Sequence, residues 1–395
     1  MKSLGELLKM DEYERAKCLY NEAKKLGKRL DPIYEEIIKI NPQIICLYAR
    51  DIIKDRWLEA EEIIIKNPEC AIFYARWVIK DRWKEAEPYI MKDSRWAYKY
   101  ARDIIGGRWE EAESYIMKDP EYANLYTSLA VKQRWKEAES YIMKDPESAY
   151  YYARSIIKGK WEEAEPYIIK DPKWAYYYII NVIKERRKEV EDYIAKNPEW
   201  AYEYAEDIIK GRWIEAEPYI MRDPEYIYKY AASIIKGRWI EAEAIIMRDP
   251  YYAYLYAKVI IEGRWKESEP YIMRNRRCIY EYSKEVIGGR WEEAEPYIMK
   301  DPGWAYNYAR DIIKGKWEEA EPYIIKDPYY AYEYAVYVLE ERFLKAEPYI
   351  MKNPKCAYWY AEDVIKGRWK EAEKHIKKNN YWWEKYCDRF RIKES

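Results

Sequence analysis

Apolar residues recur with the spacing of a helix along the segment that follows Asp301-Pro302. Asp301 is a preferred N-cap residue, and Pro302 suits the first helical position because its missing N–H would be unpaired there anyway. We call this segment helix A and expect Gly315 to end it in the left-handed conformation. One face of helix A carries the spacing i, i+3, i+4, i+7, i+8 through Ala305, Tyr308, Ala309, Ile312 and Ile313.

A second apolar pattern precedes helix A and predicts a helix B. It starts at or just after Trp291 and directs Ala294, Tyr297 and Ile298 inward. Pro296 is compatible with this helix because it falls in the first turn, where N–H groups lack partners within the helix. In other copies its position holds Ser114, Ser140, Asp192 and Ala244.

The helix pair recurs with a period of 26 residues, which the tryptophans mark. Fourteen copies run from Asp31 to Glu394 without an insertion. Because two short helices cannot bury their apolar faces alone, stacking of the copies must complete the core. We therefore predict an all-α fold, an α-solenoid superhelix with capping helices at both ends. Its expected parts are N-terminal capping helices (1–30), a repeat array (31–379) and a C-terminal capping helix (380–395). The grid holds Trp57, Trp83, Trp109, Trp135, Trp161, Trp213, Trp239, Trp265, Trp291, Trp317 and Trp369.

Two positions hold the same residue in every copy, a tyrosine of helix A and a glutamate of helix B. Tyr308 and Glu295 are examples. The glutamate shares a helix face with the tryptophan four residues before it, so we expect it to be half-buried and to need a partner. The candidates are the tyrosine hydroxyl and the basic residue before each tryptophan, such as Arg290. We expect an internal Glu–Tyr–Arg ladder holding copy to copy, with a repeated ligand site as the alternative.

The motifs Gly-Arg-Trp-x-Glu-Ala-Glu and Asp-Pro-x-x-Ala-Tyr-x-Tyr-Ala resemble tetratricopeptide repeats shortened by eight residues. The array is also similar to short-period repeat proteins of unassigned role in large bacteriophages and other large DNA viruses. The resemblance covers residues 31–394 and implies the architecture. For function it implies binding only, because a fold does not fix an activity. A viral protein acting on a host or viral partner is one form of that expectation.

Copies differ mainly on the face of helix A opposite its apolar stripe. Tryptophan, tyrosine and arginine, which are enriched at interaction hot spots, recur on this variable face. We therefore predict a protein-binding scaffold, although a drifting solvated face is the alternative. Trp96, Trp174, Trp200 and Trp304, which share one repeat position, could instead pack between copies. The candidate binding residues are Arg76, Trp77, Trp96, Lys99, Arg102, Trp174, Tyr177, Ile180, Arg187, Glu203, Glu206, Trp304, Asn307, Arg310, Tyr337 and Trp359.

Two copies lose the regular pattern. Arg187 and Phe343 replace the tryptophan, and Ile180, Val190 and Leu339 lie in the same two irregular stretches. Tolerated packing variation explains this, because apolar exchanges of similar size have small effects. The alternative is a local bend or docking point.

The chain is nearly neutral, with 71 Lys and Arg against 72 Asp and Glu. Nucleic-acid binders normally carry an excess of basic residues, which this chain lacks. A single-stranded nucleic-acid-binding repeat protein is therefore the second hypothesis, after protein binding. We expect no membrane span and no signal peptide, and hence a cytoplasmic protein. Cys70, Cys278 and Cys356 occupy one position in separate copies, beyond disulfide reach, which predicts reduced thiols.

The sequence offers no catalytic constellation. His375 is the one histidine, and no Gly-rich phosphate loop, CxxC or HExxH motif occurs. Carboxylates are plentiful, which leaves a glycoside-active helical enzyme as a remote alternative. They recur in every copy, however, and this fits a scaffold better than one active site. We expect no enzyme activity, no cofactor and no metal. The sequence does not indicate an oligomeric state.

Overall fold

The structure, a computed structural model, describes residues 4–7 and 9–392. The chain forms two compact units, Met1–Lys196 and Asn197–Ser395. Each unit is built from helix pairs that recur every 26 residues, and no strand occurs among the described residues. The predicted all-α, solenoid-type fold is therefore confirmed. The end of the array at Glu394 lies outside the described residues.

Each A helix has an α-helical first part followed by a π-helical turn. The first parts in the first unit are Pro42–Tyr48, Pro68–Tyr74, Ser94–Tyr100, Pro120–Tyr126, Pro146–Tyr152 and Pro172–Tyr178. Their π turns are Ala49–Ile53, Ala75–Ile79, Ala101–Ile105, Thr127–Val131, Ala153–Ile157 and Ile179–Ile183. The first parts in the second unit are Pro198–Tyr204, Pro224–Tyr230, Pro250–Tyr256, Arg276–Tyr282, Pro302–Tyr308, Pro328–Tyr334 and Pro354–Tyr360. Their π turns are Ala205–Ile209, Ala231–Ile235, Ala257–Ile261, Ser283–Ile287, Ala309–Ile313, Ala335–Leu339 and Ala361–Ile365.

The B helices are shorter and come in two lengths. Those of the first unit are Pro32–Ile38, Leu58–Ile64, Glu87–Ile90, Glu110–Ile116, Lys136–Ile142, Glu165–Ile168 and Lys188–Ile194. Those of the second unit are Glu217–Ile220, Ile240–Ile246, Glu269–Ile272, Glu295–Ile298, Glu321–Ile324, Glu347–Ile350 and Lys370–Ile376. The remaining helices are Leu4–Leu7, Glu12–Leu26 and Asn380–Phe390.

The start of helix A agrees with the sequence prediction. The Asp301 side chain accepts hydrogen bonds from the backbone N–H groups of Gly303 and Trp304, and Pro302 occupies the first turn. This N-cap satisfies two donors that the helix cannot pair itself. The sequence pattern therefore sets the same starting point for helix A in copy after copy.

The end of helix A differs from the prediction. Lys314, at φ 58°, takes the left-handed conformation, and Gly315 does not. The π turn explains why the left-handed residue comes one position earlier. In this turn the N–H of residue i donates a hydrogen bond to the carbonyl of residue i−5, and this bond ends the helix at Lys314. In an earlier copy, for example, the Lys54 N–H donates to the Ala49 carbonyl at 2.7 Å. A left-handed non-glycine residue costs about 1–2 kcal/mol, so the surrounding contacts must hold Lys314 there.

Helix B length depends on the proline. Glu295–Ile298 has only four residues and carries Pro296, whereas Glu110–Ile116, with Ser114 at that position, has seven. Proline cannot donate to the carbonyl four residues before it, so the preceding residues form a turn instead. Ala294 and Ile298 are buried as predicted, but the prediction for Tyr297 was wrong, because its side chain is 50% exposed.

The terminal helices match the predicted capping segments. Asp11 caps Glu12–Leu26, and Gly27 ends that helix with φ 64°. At the other end, the Trp382 ring packs on Tyr358, with 5.7 Å between the ring centroids. The exact limits of the predicted capping parts, at residues 30 and 379, stay predictions. All six cysteines are free thiols, as expected.

Candidate functional site

The glutamate, tyrosine and tryptophan that recur through the array form an internal network together with an arginine. In one regular copy, Arg238 donates through Nε and Nη2 to both Glu243 carboxylate oxygens, at 2.8 and 2.7 Å. Tyr256 Oη donates to Glu243 Oε1 at 3.3 Å and accepts the Trp239 backbone N–H at 2.6 Å. We call this set of four residues the frame. It confirms the predicted Glu, Tyr and Arg partners.

The frame joins the two helices of one copy, and its arginine, the last residue of the preceding copy, extends the predicted ladder across the boundary between copies. It links helix B (Ile240–Ile246) to the helix A that follows it (Pro250–Tyr256). A second contact between copies comes from the tyrosine ring, since Tyr256 packs on Trp265 of the next copy with 5.2 Å between centroids. Each unit thus contains an alternating series of hydrogen bonds and ring contacts. Because both glutamate oxygens are engaged internally, the frame has the properties of a structural element.

The two irregular copies follow frames in which lysine replaces arginine. Lys160 stands before Trp161, and its Nζ lies 3.7 Å from Glu165 Oε2. Arg187, in the tryptophan position of the next copy, reaches back and donates to Glu165 Oε1 at 3.2 Å. The guanidinium group that this frame lacks is thus supplied from the following copy, and Arg187 serves an internal contact.

The same exchange occurs six copies later in the second unit. Lys316 lies 4.0 Å from Glu321, and Lys345 of the next copy donates to Glu321 Oε2 at 2.9 Å. Residues 158–172 and 314–328 have the identical sequence KGKWEEAEPYIIKDP. Lysine before tryptophan occurs in only these two copies, and each is followed by a copy without tryptophan. This pairing is the sequence signal that could have predicted the exchange.

We expect the Lys160 and Arg187 positions to be energetically coupled. Arg187→Trp alone should destabilise the first unit by about 1–2 kcal/mol, because Glu165 loses a charge-assisted hydrogen bond. Adding Lys160→Arg should recover more than half of that loss by restoring the regular frame. Urea unfolding of the two single variants and the double variant measures the coupling. Equal losses with and without Lys160→Arg would contradict the exchange.

The variable face of helix A contains two kinds of position. At the first, which we call the stacking position, an aromatic ring packs on a tyrosine of the preceding copy. Trp174 packs on Tyr150 at 5.4 Å and is only 8% exposed, and Trp304 packs on Tyr280 at 5.7 Å. The predicted alternative of packing between copies is thereby confirmed for these two tryptophans.

At the second kind, which we call the bonding position, a polar residue often accepts a hydrogen bond from a tyrosine 31 residues earlier. Tyr280 Oη donates to Asp311 Oδ2 at 2.5 Å, and Tyr332 Oη donates to Asp363 Oδ2 at 2.6 Å. Four copies hold large apolar residues there, and these are left exposed. They are Trp77 (49%), Leu129 (48%), Val259 (43%) and Tyr337 (57%).

Trp77 adjoins a cleft of about 770 Å³ in the first unit. Arg76 lies over the Trp77 ring, 5.1 Å from its centroid. The one carboxylate among the lining residues, Asp51, is held by Arg50 at 2.6 Å, which lowers the pKa of Asp51 to about 2. We call this the Trp77 cleft. Its lining residues are Lys24, Arg50, Asp51, Lys54, Trp77, Val78 and Lys80.

Sequence reasoning found Arg76 and Trp77 but missed the lysines of this cleft. Lys24 precedes the predicted array, and Lys54 and Lys80 occupy a helix-end position that holds lysine in most copies. A position with little variation looks structural, and only the fold places it beside Trp77. To find these lysines from the sequence, one would have to know which cations lie around each exposed aromatic residue. Only the fold gives that geometry.

The other candidate residues do not come together in one site. Arg102 and Arg310 donate to the neighbouring Asp103 and Asp311, both at 2.6 Å. Burial, and then the charges of neighbouring acidic residues, raise the pKa of Glu203. The rest are distributed along the array: Lys99 lies over the Trp96 ring, Tyr177 packs on Tyr150, Trp359 packs on Tyr332, Ile180 and Asn307 are half-buried, and Glu206 is exposed.

No family model, curated protein or solved structure matches this chain. The repeated helix pairs therefore establish the architecture without assigning a family. Across residues 4–7 and 9–392, no helix combines the length and apolarity needed to cross a bilayer. The same residues contain no cluster of three or more His, Cys, Asp or Glu side chains arranged to hold a metal ion.

Proposed function

We propose that this chain is a non-enzymatic protein-binding scaffold, with the Trp77 cleft as a binding site in its first unit. The supporting observation is the exposed aromatic side chain at a bonding position. Trp77 leaves 49% of its side chain in solvent, although polar residues suffice at this position in other copies. Trp and Arg are the residue types that contribute most at interaction hot spots.

The charges around Trp77 indicate the chemistry of the partner. Lys24, Lys54 and Lys80 line the cleft together with Arg50, while Asp51 is already paired. Such a rim attracts an acidic segment and increases its association rate, whereas the aromatic ring provides an apolar contact. We therefore infer a partner segment that combines Asp or Glu with an apolar anchor. A host or viral origin of the partner and a cytoplasmic location stay predictions.

A selection from a random peptide library against the full chain tests this proposal. The selected peptides should be acidic and carry an apolar residue. Trp77→Ala should weaken their binding about thirtyfold, equivalent to ~2 kcal/mol, as for a hot-spot residue. Leu58→Ala is the matched control, because Leu58 is also exposed (66%) but lies on helix B.

Two outcomes would overturn the proposal. One is equal loss of peptide affinity in the two variants, which would remove the specific role of Trp77. The other is Trp77-dependent binding of single-stranded RNA or DNA homopolymers with a steep loss of affinity in salt, which would favour the nucleic-acid hypothesis. Circular dichroism of each variant checks that the helices remain intact.

A further inference from the structure

One connection between helix B and helix A in the second unit departs from the usual sequence. Most copies have Asp or Asn followed by proline at this point, as in Asp301-Pro302. Here the chain has Asn275-Arg276-Arg277 directly after Arg274. Asn275 still caps the helix, because its side chain accepts the N–H groups of Arg277 and Cys278. The unusual residues therefore change the local charge and preserve the helix start.

These arginines border a cleft of about 780 Å³. Arg274, Arg276, Arg277 and Lys300 provide four positive charges, and no carboxylate belongs to the lining. Tyr297 and Trp304 add aromatic surface, and half of the Tyr297 side chain is exposed. We call this the arginine cleft. Four cations around one cleft without a carboxylate in its lining are unusual on a chain whose net charge is −1.

The guanidinium groups of the cleft have few competing partners. Arg277 makes no side-chain hydrogen bond or ion pair with the residues that the structure describes. Arg276 Nε donates to the Tyr297 carbonyl at 3.4 Å. Arg276 also forms an ion pair with Asp301 at 3.9 Å, in which the Arg276 side chain is 47% exposed and the Asp301 side chain 40%. An exposed pair of this length contributes little, so Arg276 keeps donors for a ligand.

A cleft six copies earlier overlaps this place in the repeat and has the opposite charge. Asp119, Pro120 and Glu121 occupy the positions of Asn275, Arg276 and Arg277, and they line a cleft of about 590 Å³. Asp145 and Glu147 add two more carboxylates there. The two clefts share four of their nine lining positions, and the residues at the shared start of helix A differ in charge. The arginines belong to one copy and are not needed by the repeat.

We propose that the arginine cleft binds a phosphomonoester dianion, a second site that is independent of the Trp77 cleft. Guanidinium groups match the geometry of phosphate oxygens and can donate two parallel hydrogen bonds to them. A volume of about 780 Å³ exceeds that of a phosphate and leaves room for the group that carries it. The half-exposed ring of Tyr297 lies where a flat group on the ligand would stack.

Calorimetric titration of the full chain with phenyl phosphate and inorganic phosphate tests the site. We expect saturable one-to-one binding, tighter for phenyl phosphate and weakened by added salt. The decisive variant combines Asn275→Asp, Arg276→Pro and Arg277→Glu, which reproduces the Asp-Pro-Glu sequence of residues 119–121, 145–147 and 223–225. Because other copies fold with that sequence, the variant retains the repeat and should bind at least ~10-fold more weakly.

The reciprocal variant is the matched control. Asp119→Asn, Pro120→Arg and Glu121→Arg should add no second binding event to the parent chain, because Asp145 and Glu147 stay in the acidic cleft. Comparing N-acetyl-phosphotyrosine amide with adenosine monophosphate distinguishes a phosphorylated protein from a nucleotide as the source, and preference for either supports the site. Equal affinity of the parent chain and the first variant, or no saturable binding of any phosphomonoester, would overturn it.

Discussion

Tyr256→Phe is expected to destabilise its copy by about 2–3 kcal/mol, because two buried polar groups lose their partner. The hydroxyl accepts the Trp239 backbone N–H at 2.6 Å and donates to Glu243 Oε1 at 3.3 Å, and Tyr256 has no exposed surface. The ring, and with it the packing on Trp265, is kept. The change therefore isolates the hydrogen bonds of the frame from the apolar burial of the tyrosine.

The loss should be local, because each copy of a repeat array contacts only its neighbours. Native-state hydrogen exchange should show faster opening of Ile240–Ile246 and Pro250–Tyr256 than of distant helices. Tyr251→Phe is the control, since Tyr251 lies on the same helix and is 44% exposed. A Tyr256→Phe variant as stable as this control would show that the frame contributes little.

The frame also shows how much the sequence could predict. Its partners followed from burial, because a half-buried glutamate on the tryptophan face must be paired. The ring contact between Tyr256 and Trp265 of the next copy did not follow, because it depends on how one helix pair stacks on the next. The regular spacing of apolar residues predicts where the helices lie in the sequence. The contacts between copies depend on the directions of side chains, which the repeat period does not specify.

The helix ends were less predictable for a related reason. A glycine at position 315 looks like a left-handed cap, but the π turn moves that conformation to Lys314. Tyr297 was expected inward by its spacing, but this position faces solvent with or without the proline, since Tyr193 and Ile245 of the seven-residue B helices are also exposed. At the end of helix A, a hydrogen-bond pattern other than i to i−4 shifts the left-handed residue by one position.

The candidate site was predicted in part. Trp77 and Trp304 both lie on the face opposite the apolar stripe, and the sequence gives no reason to separate them. Tyr280 of the preceding copy covers the stacking position of Trp304, whereas the bonding position of Trp77 stays open. Lys160 before Trp161 signals the Arg187 exchange in the sequence, but the contact itself, in which a residue 22 positions after Glu165 returns to it, depends on the fold.

Alkaline pH is expected to unfold the array between about pH 10 and pH 12. Burial, assisted by the charge of Glu243, raises the pKa of Tyr256 to about 12, and burial likewise raises the pKa values of Tyr230 and Tyr386 to about 12. Unfolded tyrosine loses its proton near pH 10. The folded state holds that proton more tightly, so this stability is complete below pH 10 and is lost as pH rises towards 12.

The repeat multiplies this effect. Tyrosine hydroxyls in the same arrangement accept a backbone N–H in at least thirteen copies, so the losses add along each unit. Phenolate absorbance and far-ultraviolet circular dichroism, followed together, measure it. Surface phenols should ionise first with the helices intact, and the buried ones only as helix content falls. Ionisation of all 47 tyrosines in one phase without loss of helix would contradict the prediction.

Tyr256→Phe separates the tyrosine contribution from that of lysine, which loses its charge in the same pH range. The variant is less stable at neutral pH but has one fewer buried phenol to ionise. The difference in unfolding free energy between the variant and the parent chain should therefore shrink as pH rises above 10. Only the parent is destabilised by ionisation of Tyr256, which takes place when the chain unfolds. Urea unfolding at a series of pH values measures this difference. A difference that stays constant from neutral to alkaline pH would mean that the buried hydroxyl does not control the alkaline transition.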